Sequence, residues 1–277
     1  MTDVRVAEVR QLIDGLRWDR RRHPYHGRPE YSQRARAVAA AIEGMIEADD
    51  AASAGPLARR AVERVTAALM YMDDSAGIVG DDLRALMDLY ARACRAAPPD
   101  PRRLAAWLVS SQLDGPGWPA IALKEFAEAL GQRGLAEVAR LTAERAAAAD
   151  PDSWTAQWGI RDLREQLAGV SGDVDAHVAV LAEDLRGAHR YGEIVEVLCA
   201  AGREDDAEHW ARKGLAEHRA GDKYRYPKAI KIIRRLHEAY RRAGDDAGFA
   251  AYVADLRQRH CRKTSFITKL DKALAAK

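Results

Sequence analysis

VLCAAGREDDAEHWARKGLAEH (Val197–His218) and AYRRAGDDAGFAAYVADLRQRH (Ala239–His260), about 42 residues further on, are two versions of one pattern. Each leaves an apolar-striped segment through Ala-Gly, crosses a short polar stretch and enters a second striped segment. In the first version Gly202 closes one helix, and Ala207 and Ala211 lie in the next. In the second, Gly244 is followed by Phe249, Tyr252 and Leu256. Glycine just past a helix end adopts the left-handed conformation that other residues avoid, and carboxylates suit the positive end of the helix that follows. EALGQRGLAEVARLTAERAA (Glu128–Ala147) is a looser third version around Gly131. The unit written three times is therefore a helical hairpin.

Working outward from it, Ala, Leu, Arg and Glu dominate the chain, and the β-branched alternation of strands is nowhere sustained. Turn residues punctuate the sequence every 15 to 25 residues, at His23-Pro24, Ala54-Gly55-Pro56, Asp73–Gly77, Pro98–Pro101, Gly115–Gly117, Gly131, Asp150-Pro151, Ser171–Asp173, Gly202, Gly221 and Gly244. Helical stripes lie between them: Val6, Val9, Ile13 and Leu16; Ala35, Val38, Ile42, Met45 and Ile46; Leu57, Ala61, Val65, Ala68, Leu69 and Met72. The expected fold class is all-α, with more than ~60% helix against the roughly one-third of an average globular protein. The Ala-Gly turn between paired helices resembles that of tetratricopeptide repeats, although a strict 34-residue period is absent. The expected architecture is an α-solenoid of antiparallel hairpins, about a dozen helices, with a concave binding face. A boundary near Asp150-Pro151 or Gly172 divides it into N-terminal hairpins (1–150) and tetratricopeptide-like C-terminal repeats (151–277), or the two form one continuous solenoid.

The 277 residues carry 44 Lys and Arg against 42 Asp and Glu, and are 48% hydrophobic and 6% aromatic. No apolar run approaches the ~18 residues of a membrane span. The first twenty residues hold Asp3, Glu8, Asp14 and Asp19 where a secretory segment needs an unbroken apolar stretch, so the expected compartment is the cytoplasm. The near-neutral total hides a polar chain. From Lys213 to Lys277, eight Lys and nine Arg face seven acids, a net of +10, and the remaining 27 basic and 35 acidic residues leave −8 on residues 1–212. Cys94, Cys199 and Cys261 are too far apart in sequence to suggest a disulfide framework or a closed zinc site.

A longer resemblance runs through the middle and end of the chain. MYMDDSAGIVGDDLRALMDLYARACRAAPPDPRRLAAWLVSSQLDGPGWP (Met70–Pro119), EFAEALGQRGLAE (Glu125–Glu137), GVSGDVDAHVAVLAEDL (Gly169–Leu185), CAAGREDDAEHWARKGLAEH (Cys199–His218) and YVADLRQRHCRKTSFITKLDKAL (Tyr252–Leu274) together resemble the helical region C-terminal to the zinc finger in bacterial, especially actinobacterial, SWIM zinc finger proteins. The likeness covers roughly residues 60–277. The finger's CxC…CxH ligands are absent, so zinc does not carry over. What the resemblance implies is a tetratricopeptide-like scaffold.

Chemistry-bearing patterns are few. Asp73, Asp74, Asp81 and Asp82 surround two glycines, but a calcium loop starting at Asp73 would need Glu where Arg84 stands; the acids are read as caps, with Asp81 or Asp82 opening a helix that ends near Ala97. Trp118 in LDGPGWP (Leu113–Pro119) is read as closing the core, and Trp154 and Trp158, four residues apart, as a packed helical face. No HExxH, GxSxG, GxGxxG or phosphate-binding loop occurs, so no catalytic, cofactor or metal residues are assigned and the expectation is a non-enzyme without cofactors.

The basic end carries the strongest single signal. On a helix from Pro227 to Arg242, Lys228, Lys231, Arg235 and Arg242 fall within about 60°, beside an apolar face of Ile232, Ile233, Leu236 and Tyr240. Tyr224 and Tyr226 precede it, and Arg259, Arg262 and Lys263 follow. Interleaved bases and aromatics suit phosphate contacts and base stacking; a solvated face with local acidic partners has the same composition. A second patch holds Arg17, Arg20, Arg21, Arg22 and Arg28. The leading expectation is a non-enzymatic scaffold with a protein partner. Nucleic-acid binding through the basic end is the alternative, and an unrecognised enzyme a third reading.

Overall fold

In the computed structural model, residues 2–19, 27–116, 120–150, 152–217, 226–261 and 263–275 are described. Among these the protein is all-α, with thirteen helices and no strand. They are α1 (Thr2–Asp14), α2 (Arg28–Glu47), α3 (Ala51–Leu69), α4 (Ile78–Ala96), α5 (Pro101–Leu113), α6 (Leu123–Ala148), α7 (Trp154–Ser171), α8 (Val174–Ala182), α9 (Ala188–Ala200), α10 (Glu204–Glu217), α11 (Tyr226–Ala243), α12 (Asp246–Arg259) and α13 (Thr264–Ala275). No helix among the described residues is long and apolar enough to cross a membrane. The chain forms two compact units, Met1–Val170 and Ser171–Lys277.

In the first unit α2, α3 and α4 pack on one another, α1 lies on α2 and α3, α5 runs along α6, and α4 reaches α6. The buried stripe of α2, Tyr31, Ala35, Val38, Ile42 and Met45, steps by four and three residues, the spacing that keeps one helical face inward. It meets Leu83 and Leu86 of α4 and joins Leu104, Leu108 and Phe126 in one core. Polar ties cross this core. Asp82, 6% exposed, accepts from Ser32 Oγ and from Arg36 Nε at 2.8 Å, linking α4 to α2.

Three local readings are corrected. Ala54-Gly55-Pro56 does not end a helix: α3 runs through Pro56, because Ala51, Ala54, Gly55, Leu57 and Ala58 lie in the core and hold the segment in place while the proline ring stays exposed. Helix α4 starts at Ile78, before Asp81, and its cap is Asp74, whose carboxylate accepts from Val79 N at 3.1 Å and Gly80 N at 2.7 Å. Asp82 is an inward-facing helical residue rather than a cap. At Gly131 the backbone of α6 leaves the helical region (φ 53°, ψ −172°), breaking the helix without a connecting turn of any length.

In the second unit α9 packs with α8, α10 and α11, and α11 packs with α10, α12 and α13. The turns after α9 and α11 are built alike. Gly202 (φ 71°) and Gly244 (φ 73°) take the left-handed conformation; Arg203 N donates to Leu198 O at 2.9 Å and Asp245 N to Tyr240 O at 3.0 Å, the six-residue bond that closes a helix C-terminus. Leu198 and Tyr240 are buried at matching positions, as are Ala207 and Phe249. Gly214 brings α10 close to α9: a Cβ there would sit 2.7 Å from Tyr191 Cβ and Cγ.

Candidate functional site

Among the described residues, three open grooves follow one another along the first unit. They begin where Trp107 of α5 lies between α3 and α4. Its indole Nε1 donates to Glu63 Oε1 at 2.9 Å, the same oxygen accepts from Arg59 Nε at 2.9 Å, and the Arg59 guanidinium lies 5.7 Å from the indole ring centre. Tyr90 meets the indole edge-on at 5.0 Å. Arg59 and Glu63 are one helical turn apart, so α3 sets them side by side. Two grooves adjoin this cluster. One, about 490 Å³, has an apolar wall of Ala52, Gly55, Pro56, Pro98 and Pro99 and reaches Tyr90 and Cys94. The other, about 370 Å³, includes Glu63, Thr66, Met87, Trp107, Asp114 and Ile121.

The third groove, about 670 Å³, shares Gly115 with the second and is bounded by Leu113 and Pro116 on one side and by Trp154 and Trp158 of α7 on the other. Here the reading of a packed tryptophan face is corrected: Trp154 is 75% exposed and Trp158 45%. At 100° per residue both fall on the stripe of Arg161 and Glu165, whereas Ile160, Leu163 and Leu167 face the core from roughly the opposite side. Phasing α7 on its aliphatic residues would have revealed the exposure. Trp118 lies outside the described residues.

Polar side chains fix the walls. Gln112 Oε1 accepts from Ile121 N at 2.9 Å, and Gln166 accepts from Leu123 N at 2.7 Å while donating to Ile121 O at 2.8 Å. Both amides donate to Asp162 Oδ2 at 2.8 Å, so α5 and α7 grip the segment entering α6. Asp114 takes both amino groups of Arg145 and the Ser110 hydroxyl at 2.9 Å; the guanidinium holds its carboxyl below the usual range. Burial pushes the Cys94 thiol up to about 11, against an opposing pull from its bond with Tyr90, which favours the protonated sulfur at the edge of the first groove. Among the described residues no three His, Cys, Asp or Glu side chains group as metal ligands.

The basic residues singled out in the sequence are placed as follows. Lys228, Lys231, Arg235 and Arg242 lie on the continuous helix α11. Its buried face comprises Ile230, Ile233, Leu236 and Tyr240. Arg235 pairs with Glu196 of α9, and Arg242 Nε bonds Glu238 O of its own helix at 3.3 Å. Arg259 pairs with Asp255, one turn back in α12, and Lys263 is half-buried. In the other patch Arg17 is exposed and Arg28 donates to Asp73 O at 2.8 Å. Tyr224, Arg262, Arg20, Arg21 and Arg22, and the side chains of Tyr226, Lys228, Lys231 and Ile232, lie outside the described residues.

Residues 7–239 match the family described as a family of unknown function, DUF6880. The chain belongs to that family. No curated protein and no solved structure matches it. The DUF6880 match takes in all three grooves and ends within α11, leaving Arg242, Arg259 and Lys263 beyond it.

Proposed function

We propose that this DUF6880 protein is a non-enzymatic helical scaffold of the cytoplasm that holds a protein partner along the grooves of its first unit. The observation carrying this reading is the pair of exposed indoles, Trp154 and Trp158, on the wall of the largest of the three grooves described above. Covering the free part of Trp154 alone removes on the order of 150 Å² of apolar surface, about 4 kcal/mol gross. Large aromatics left in water beside a preformed groove are the usual anchors of protein recognition. The like-built turns at Gly202 and Gly244, and the packing of α9 on both α10 and α11, support a tetratricopeptide-like solenoid arrangement. That architecture agrees with kinship to the helical region of SWIM zinc finger proteins, which we propose on the sequence likeness.

Nucleic-acid binding through Lys228 to Lys263 has less support, because Arg235 and Arg259 already face carboxylates. Two double variants separate the readings in affinity capture with and without nuclease. Trp154→Ala/Trp158→Ala is expected to lose protein partners that Arg235→Glu/Arg242→Glu retains. Loss in the charge-reversed variant alone, abolished by nuclease in the wild type, contradicts the scaffold reading.

A further inference from the structure

We propose that the Trp154–Trp158 groove receives a proline-rich segment in the polyproline II conformation with a basic residue at one end. This rests on the groove being the partner site and names the chemistry of the partner. Three observations on α7 and its surroundings carry it.

The first is spacing. Trp154 and Trp158 stand one above the other on a helix, so their attachment points are about 6 Å apart along its axis. In a polyproline II chain, with three residues per turn and ~3.1 Å per residue, residues two apart are also about 6 Å apart along the axis and lie on the two edges that bound one flat side of the helix. With that flat side laid against α7, two proline rings reach the two indoles without either chain bending. The second is polarity. The groove is lined by Gln112, Leu113, Gly115, Pro116, Ser153 to Ala156 and Trp158, with no charged side chain among these described residues. A polyproline II backbone has no internal hydrogen bonds and presents its carbonyls outward, and an indole N–H is a donor only. The slot thus offers stacking faces and donors, and nothing that requires a charge inside it.

The third is the charge at one end. Asp150 and Asp152 are exposed just before Trp154, and the nearest cations in the sequence are Arg145, which is paired with Asp114, and Arg161, a turn beyond Trp158. A negative rim next to an uncharged aromatic slot complements a Lys or Arg flanking the prolines, and it repels a phosphate backbone. Aromatic-lined grooves with this division between stacking and charge suit preformed, low-entropy polyproline chains.

The test uses the full chain and three synthetic dodecapeptides: one of Pro-Pro-x triplets ending in Lys-Arg, the same peptide ending in Glu-Glu, and the Lys-Arg peptide with every Pro replaced by Ala. Indole N–H resonances are assigned from Trp154→Phe and Trp158→Phe and followed by NMR during titration. The basic proline peptide is expected to shift both resonances. Affinity should fall at least tenfold for the alanine peptide and for Trp158→Ala, and several-fold for the acidic peptide, with Asp150→Asn/Asp152→Asn erasing the difference between the two proline peptides. Equal binding of the alanine peptide overturns the proposal, as does binding that Trp154→Ala and Trp158→Ala leave unchanged. Burial of the indoles on self-association, seen as a concentration-dependent shift without peptide, also overturns it by making a second copy the occupant. In the first case the groove is still a polypeptide site and the scaffold reading stands. If partner capture is also insensitive to both tryptophans, the two readings fall together.

Discussion

Asp82 shows how much one buried carboxylate holds. Its oxygens take the Ser32 hydroxyl and the Arg36 guanidinium, and both it and Ser32 are nearly inaccessible. Asp82→Ala leaves the Ser32 hydroxyl without its acceptor in the α2–α4 interface, which costs about 1–3 kcal/mol. Asp81→Ala, one position earlier, removes only an exposed pair with Arg84, worth ~0.5 kcal/mol or less. Urea midpoints of the two variants should differ accordingly; equal midpoints would mean that the buried pair contributes nothing. The thiols divide in the same way by environment. Burial raises Cys94 to about 11 and also raises Cys199, and both are inaccessible, whereas Cys261 is exposed. Alkylation at pH 7.5 followed by peptide mass analysis should label Cys261 in the folded protein, and Cys94 and Cys199 only after denaturation. Rapid labelling of folded Cys94 would show that its groove opens far wider than the structure has it.

At the scale of elements, Gly214 is the sharpest test of the α9–α10 pair. A methyl there meets the Tyr191 ring root at 2.7 Å, and Tyr191 is fully buried, so neither side can yield cheaply. Gly214→Ala should destabilise the second unit by about 1–3 kcal/mol despite the better helix propensity of alanine, read as an earlier thermal transition. A stabilised variant would show that the helices lie further apart. Much at this scale is legible in the sequence. The stripe Val9, Ile13 and Leu16 and the stripe Ala35, Val38, Ile42 and Met45 are buried as their spacing requires, and Gly202 and Gly244 close helices as their surroundings ask. What escaped has physical causes. Pro56 ordinarily breaks a helix, but burial of its neighbours overrides that preference. The cap of α4 comes from Asp74, four residues before the helix, because the Gly77 turn folds the carboxylate back onto it. The four-residue spacing of Trp154 and Trp158 suits a packed helical face, but the phase of the helix puts that face outside.

Across the whole molecule, the chain pairs many of its own charges at both candidate sites, and the sites differ in the aromatic surface they leave exposed. The cations of the basic end are abundant in the sequence, yet Arg235, Arg257 and Arg259 are each held by an acid from a neighbouring helix or turn. The sequence displays their number, and only the fold displays their pairing. In the first unit the two carboxylates of the middle groove are likewise paired, Glu63 with Arg59 and Asp114 with Arg145, whereas the indoles of Trp154 and Trp158 stay largely exposed. The grooves were not legible in advance because they are assembled from α3, α4, α5 and α7, with no motif of their own in any one segment. The proposed scaffold role therefore turns on what touches α7. Site-specific photo-crosslinking from Thr155, an exposed residue between the two indoles, tests this most directly in growing cells. The prediction is a nuclease-resistant polypeptide adduct that disappears when Trp154 and Trp158 are both alanine. A nuclease-sensitive adduct, or a polypeptide adduct indifferent to the loss of both tryptophans, would contradict it.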